Sequence, residues 1–266
     1  GPGLIGGLLV GSGFPRGLAA AADKPFIAVN HLEAHVLSPR LAGDLEFPYL
    51  ALLLSGGHCQ IVDIRALGDY RTLGATIDDA VGEAFDKAAK MLGLGYPGGP
   101  ALERAAADGD ADRFKLPRPL KGRPGCDFSF SGLKTAVRRT IEAHRGGFDA
   151  RAVDDLAAGF QAAVCDVLAD RLRKALAIAP RNAVAVVGGV AANAAIRGRI
   201  ETVCDAAGAR CALAPLWLCG DNAAMVAWAG AERARIGLFD PLDAPCRPRW
   251  PLDDLRKVTA ATCSTG

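Results

Sequence analysis

Ala183-Val184-Ala185-Val186-Val187-Gly188-Gly189-Val190-Ala191-Ala192-Asn193 decides the fold class of this chain. A short, continuous apolar run bounded by glycine reads as a strand buried on both faces. The Gly188-Gly189 pair then turns the chain into a helix predicted to run to about Ala207, and Arg210–Ala214 reads as the next strand. Strand, tight turn, helix and strand is α/β construction. A Gly-Gly turn at a helix N-terminus is also the usual nucleotide-facing geometry of α/β proteins. The same turn can serve packing alone.

Working outward, Tyr49–Leu54 is a second buried run, and Gln60–Ile64 resumes as a strand after Ser55-Gly56-Gly57-His58. A hairpin with a glycine tip follows, open either to a ligand or only to a tight turn. Pro25–Val29 reads as a short strand, and Phe128–Ser131 alternates like another. Residues 1–22 read as a glycine-rich turn leading into an apolar helix, and Leu156–Ile178 as a long amphipathic one.

Val29-Asn30-His31-Leu32-Glu33-Ala34-His35-Val36 holds two of the four histidines at i and i+4. On a helix capped by Asn30, both imidazoles share a face, with Cβ atoms about 5–6 Å apart. That is the commonest beginning of a metal site, and equally two polar residues on a surface helix. Glu33 falls two places after His31, so the His-Glu-x-x-His peptidase motif is absent. Asp221-Asn222 precedes a helix predicted over 223–236. Asp221 is either its N-cap or the third ligand of the histidine pair.

Thr76-Ile77-Asp78-Asp79 reads as a capping-box variant opening a helix to about Leu92. On it Asp79, Glu83 and Asp86 would share one face with no interleaved lysine, inviting a cation or a hydroxyl-rich ligand, or simply facing solvent. The basic residues of 113–139 could meet a polyanion or likewise face water.

Of the 266 residues, half are hydrophobic, and the net charge is +2. That near balance argues against a protein that coats nucleic acid, though not against a local basic groove. Eight cysteines form no Cys-x-x-Cys pair. With no membrane-spanning run, they point to small buried thiols in a reducing cytoplasm.

Taken together, the motifs at 1–11, 30–35 (NHLEAH), 53–58 (LLSGGH), 78–100, 128–136 (FSFSGLKTA), 188–193 (GGVAAN) and 219–225 (CGDNAAM) resemble the TsaD/YgjD (Gcp) family. The resemblance implies a two-lobed actin/Hsp70-like (ASKHA, ribonuclease H-like) α/β fold. It divides the chain into a first lobe over 1–100, a second over 101–237 and a tail over 238–266. It also implies that the first lobe is incomplete, because family members carry an earlier strand segment. A chain lacking it is not expected to be fully active alone.

The activity implied is metal-assisted transfer of threonylcarbamoyl from threonylcarbamoyl-adenylate to the amine of the tRNA adenosine beside the anticodon. The family's metal, iron or zinc, maps onto His31, His35 and Asp221. Its substrate positions map onto Leu53, Leu54, Ser55, Gly56, Gly57, Asp86, Gly99 and Asn193. Implied partners are tRNA, TsaB-like and TsaE-like subunits and a TsaC-like supplier of the adenylate. Two competing readings are a metallopeptidase, against which the displaced Glu33 counts, and a TsaB-like scaffold, against which the histidines count.

Overall fold

The two continuous apolar runs lie side by side at the centre of a single sheet, as their composition requires. The computed structural model describes residues 1–144 and 148–255. Its strands are β1 (Tyr49–Leu54), β2 (Cys59–Ala66), β3 (Asp69–Ala75), β4 (Ala183–Val187) and β5 (Arg210–Leu213), ordered β3-β2-β1-β4-β5. β1 pairs antiparallel with β2 and parallel with β4. Every residue of β1 and β4 is buried. Leu53 stands opposite Val187, so the turns that follow the two strands emerge next to each other. There Gly188 has φ +93°, and a Cβ on it would come within 2.3 Å of the Leu54 carbonyl oxygen. Only glycine lets the two chains approach this closely.

Helices cover the sheet: α1 (Ile5–Ala21), α2 (His31–Ala42), α3 (Val81–Met91), α4 (Gly98–Ala106), α5 (Ser131–Ala143), α6 (Ala150–Ile178), α7 (Ala194–Ala206), the single turn α8 (Leu216–Cys219) and α9 (Ala223–Arg235). Asn30 caps α2, accepting from the Leu32 and Glu33 N–H groups at 2.8 and 3.2 Å. Residues 32–39 of that helix are all buried. α1 is the opposite case: none of its residues is buried, and Val10 and Phe14 are each 79% exposed. No helix among the described residues is long and apolar enough to cross a membrane.

β1–β3 and β4–β5, on either side of the expected division at residue 100, share one sheet. Two strand expectations are corrected. Pro25–Val29 is not a strand. Phe26 makes one bridge, to Asp240, and Phe128 makes one, to Thr76. The described part of the expected tail, residues 238–255, folds back onto the body. Trp250 accepts a hydrogen bond from Asn30, Leu252 and Leu255 are buried, and Asp253 takes the Thr72 N–H on the outer edge of β3. Residues 256–266 of that tail, with Cys263, lie outside the described residues. The seven described cysteines are free, five of them buried.

α3 begins at Val81, with Ala80 as its N-cap, because Thr76 and Asp78 are occupied elsewhere. Thr76 donates to the Asp79 carbonyl. The Asp78 carboxylate accepts from the Phe130 and Ser131 N–H groups at 2.8 and 3.2 Å and from the Ser129 and Ser131 hydroxyls at 2.6 and 2.7 Å. It therefore caps α5 rather than its own helix.

Burial alone would raise the Asp78 carboxyl, but these four hydrogen bonds bring it below its ordinary 3.8. A depressed folded value stabilises fully above the unfolded value and is lost as pH falls through the folded one. Asp78→Ala should cost about 1–2 kcal/mol at neutral pH. In urea unfolding, the gap between variant and parent should close as pH drops below about 4.

Candidate metal centre and ligand cleft

α2 is held in register by a buried carboxylate. Glu33 is 1% exposed and accepts from the Tyr70 hydroxyl at 2.8 Å and from Arg233 Nη1 at 2.9 Å. Tyr70 lies in β3 and Arg233 in α9, so one side chain joins three elements. Arg40 and Glu232 form a second α2–α9 ion pair at 2.8 Å. Burial keeps the Glu33 carboxyl above the ordinary carboxylate range, against the pull of Arg233 and Tyr70. Engaged on both oxygens, it is not free to act as a water-activating base.

On the other face of α2, His31 and His35 stack edge to face with ring centroids 4.7 Å apart. Nε2 of His31 lies 3.4 Å, and Nε2 of His35 3.0 Å, from Oδ1 of Asp221. Asp221 is free to do this because its neighbour takes the capping role: Asn222 accepts from the Met225 N–H at 2.8 Å and caps α9. One donor atom from each of the three residues falls within 4.8 Å of the others. Two imidazoles and a carboxylate converging in this way can hold a divalent ion. Burial first, and then the nearby His31, keep the His35 imidazole below its ordinary 6.5. The lowering favours the neutral form, the one that binds metal.

His58 was not singled out from sequence. It closes the β1–β2 turn, and burial together with His31 lowers its pKa also. The turn therefore presents an imidazole toward the histidine pair and, through Gly56, one wall of a neighbouring cleft.

That cleft has a volume of ≈ 250 Å³. Four expected substrate residues line it: Gly56, Asp86, Gly99 and Asn193. Four do not. Leu53 and Leu54 are fully buried in β1, as its continuous apolar run requires. Ser55 Oγ accepts from the His58 N–H at 3.0 Å and shapes the turn, and Gly57 belongs to the same turn. Asn193 is engaged on both sides, capping α7 through the Ile196 N–H at 2.9 Å and donating to Gln161 at 2.8 Å. Asp86 accepts from the Gly98 N–H at 3.0 Å, which holds the start of α4.

Glu103 also lines the cleft and was missed from sequence. So was Arg197, which donates to the Ala191 and Ala214 carbonyls at 2.6 Å each and reaches Cys219 Sγ at 3.3 Å. It ties the Gly-Gly turn to the segment leading to Asp221. The three-carboxylate face of α3 dissolves. Asp79 precedes the helix and pairs with Lys87 and Lys134, and Lys87 also pairs with Glu83 at 2.5 Å.

A mixed sheet with a glycine-lined cleft where its central parallel strands end, and a His-His-Asp cluster beside it, defines an actin/Hsp70-like α/β protein. The same fold occurs in two solved HypF structures. Full-length HypF in the phosphate- and nucleotide-bound form matches 84% of this chain and 46% of its own (TM-score 0.64, 15% identity). The HypF of T. kodakarensis matches with a TM-score of 0.63 at 18% identity, over 83% of this chain and 38% of its own.

The family is shown by sequence. The model of TsaD, tRNA N6-adenosine threonylcarbamoyltransferase, matches residues 1–228. The enzyme of that name from Rhodospirillum rubrum is 57% identical over 98% of this chain and 74% of its own length. The one from Sphingopyxis alaskensis is 60% identical over 95% and 73%. The chain belongs to the TsaD family, transferases that modify tRNA at adenosine N6.

Glu33→Ala should cost about 3–5 kcal/mol, because Arg233 is left buried and unpaired. Adding Arg233→Met should recover part of that loss. Chemical denaturation of the single and double variants measures both.

Proposed function

We propose that this chain transfers threonylcarbamoyl from threonylcarbamoyl-adenylate to the exocyclic amine of the tRNA adenosine beside the anticodon. One divalent ion, iron or zinc, would be held by His31, His35 and Asp221. The observation that carries the reading is the meeting of two Nε2 atoms on one Asp221 oxygen, with a glycine-lined cleft reached through the β1–β2 turn that carries both Gly56 and His58. When bound there, the ion supplies a Lewis acid for the carbonyl of the transferred group.

The chain's own residues supply the rest. Gly56, Gly99 and Gly189 let the donor approach the backbone closely. Pro97, Pro100 and Val190 offer an apolar wall to a purine. Asp86 and Glu103 accept from ribose hydroxyls or from the incoming amine. TsaB-like and TsaE-like subunits would assemble with the chain in the cytoplasm, and a TsaC-like enzyme would supply the adenylate. A peptidase reading has no support here, because Glu33 is locked away from the histidines.

Nucleoside analysis of unmodified tRNA, incubated with threonine, bicarbonate, ATP and the partner subunits, tests the reading. Threonylcarbamoyladenosine should form with the parent chain. His31→Ala, His35→Ala and Asp221→Asn should each lower metal affinity by on the order of 10²-fold, with product falling in step. Full product from a chain stripped of metal, or from these variants, would overturn the metal assignment.

A further inference from the structure

Helices α3 and α5 enclose a groove lined by Lys87, Lys90, Met91, Lys134, Thr135 and Arg138. Four of the six are cations and none is an acid. Lys87 and Lys134 are held in place by Asp79, at 3.2 and 2.8 Å, and Lys87 also by Glu83 at 2.5 Å. Lys90 and Arg138 are exposed, and among the described residues neither has a carboxylate partner. Across α5, the exposed Arg139 lines a second groove that shares Thr135 with the first.

A net charge of only +2 means that this concentration of cations is local rather than a general basicity. Its position is specific as well. Lys90 follows Asp86 by one turn of α3, about 6 Å along the axis, and Asp86 lines the cleft.

We propose that the α3–α5 groove binds the tRNA sugar–phosphate backbone flanking the adenosine that enters the cleft. The proposal rests on the transferase reading above. Fixed cations (Lys87 and Lys134) set the course of the strand. Free ones (Lys90 and Arg138) neutralise phosphates as point charges without reading sequence. Bases of an unpaired loop can then splay toward the cleft while the backbone stays in the groove.

The test is tRNA binding by the full chain, followed by fluorescence anisotropy over a range of salt concentrations. The double variant Lys90→Gln, Arg138→Gln should weaken binding roughly tenfold at about 0.1 M salt. It should also flatten the log K against log salt slope by about one for each contact removed. The control Lys24→Gln, Arg71→Gln removes two exposed cations elsewhere and should leave both quantities unchanged. In the transfer assay, KM for tRNA should rise in the groove variant while kcat holds. Parent-like affinity and slope in that variant would overturn the groove and leave the transferase reading standing. A parent chain that makes no product and does not bind tRNA would overturn both.

Discussion

The arrangement depends on Glu33, a carboxylate with almost no access to water. It joins α2 to β3 through Tyr70 and to α9 through Arg233. Burying an ion pair of this kind is a poor source of net stability, because desolvation consumes most of the Coulombic attraction. What it provides is register. A hydrophobic α2–α9 contact would tolerate sliding. A carboxylate that must meet a hydroxyl and a guanidinium at once does not. The histidines rise from one of these helices, and the aspartate precedes the other. Register between the two helices therefore sets the geometry of the His31, His35 and Asp221 cluster.

A second constraint is steric. The turns after β1 and β4 lie so close that the Gly188 position admits no side chain. α3 starts equally close, where a Cβ on Gly82 would lie 2.8 Å from the Ser55 carbonyl oxygen. Three glycine-bearing segments thus converge at one end of the sheet, and the cleft is what remains between them. The electrostatics divide around it. Imidazoles and a carboxylate stand on the β1–β2 side, and lysines and arginines on the α3–α5 side.

Much of this was legible in the residues. The runs 49–54 and 183–187 are apolar at every position, so central strands were the only comfortable reading. Asn30 before a histidine pair at helical spacing announced both the cap and the shared face. Asp221 was harder, because Asp221 and Asn222 are both good caps and propensity cannot rank neighbours. Only the fold gives that role to Asn222. β3 was missed because its outer positions are polar and its edge is closed by Asp253, which is 181 residues away in sequence. Leu53 and Leu54 belong to a motif that points to substrate, yet their side chains lie wholly inside β1, as their hydrophobicity requires. The supposed carboxylate stripe overlooked that Asp79 stands before the helix, where lysines from two elements reach it.

The β1–β2 turn touches both halves of the site, Gly56 on the cleft and His58 near the imidazoles. Arg197 joins the Gly-Gly turn to the Asp221 segment in a similar way. Two sites that share structural parts are linked when each ligand favours a different setting of those parts. If occupation of the cleft favours one setting of these parts, ion affinity must change by the same factor as ligand affinity changes when the ion binds. The turn and Arg197 are thus the parts through which an ion held by the three residues and a ligand in the cleft would affect each other's affinity.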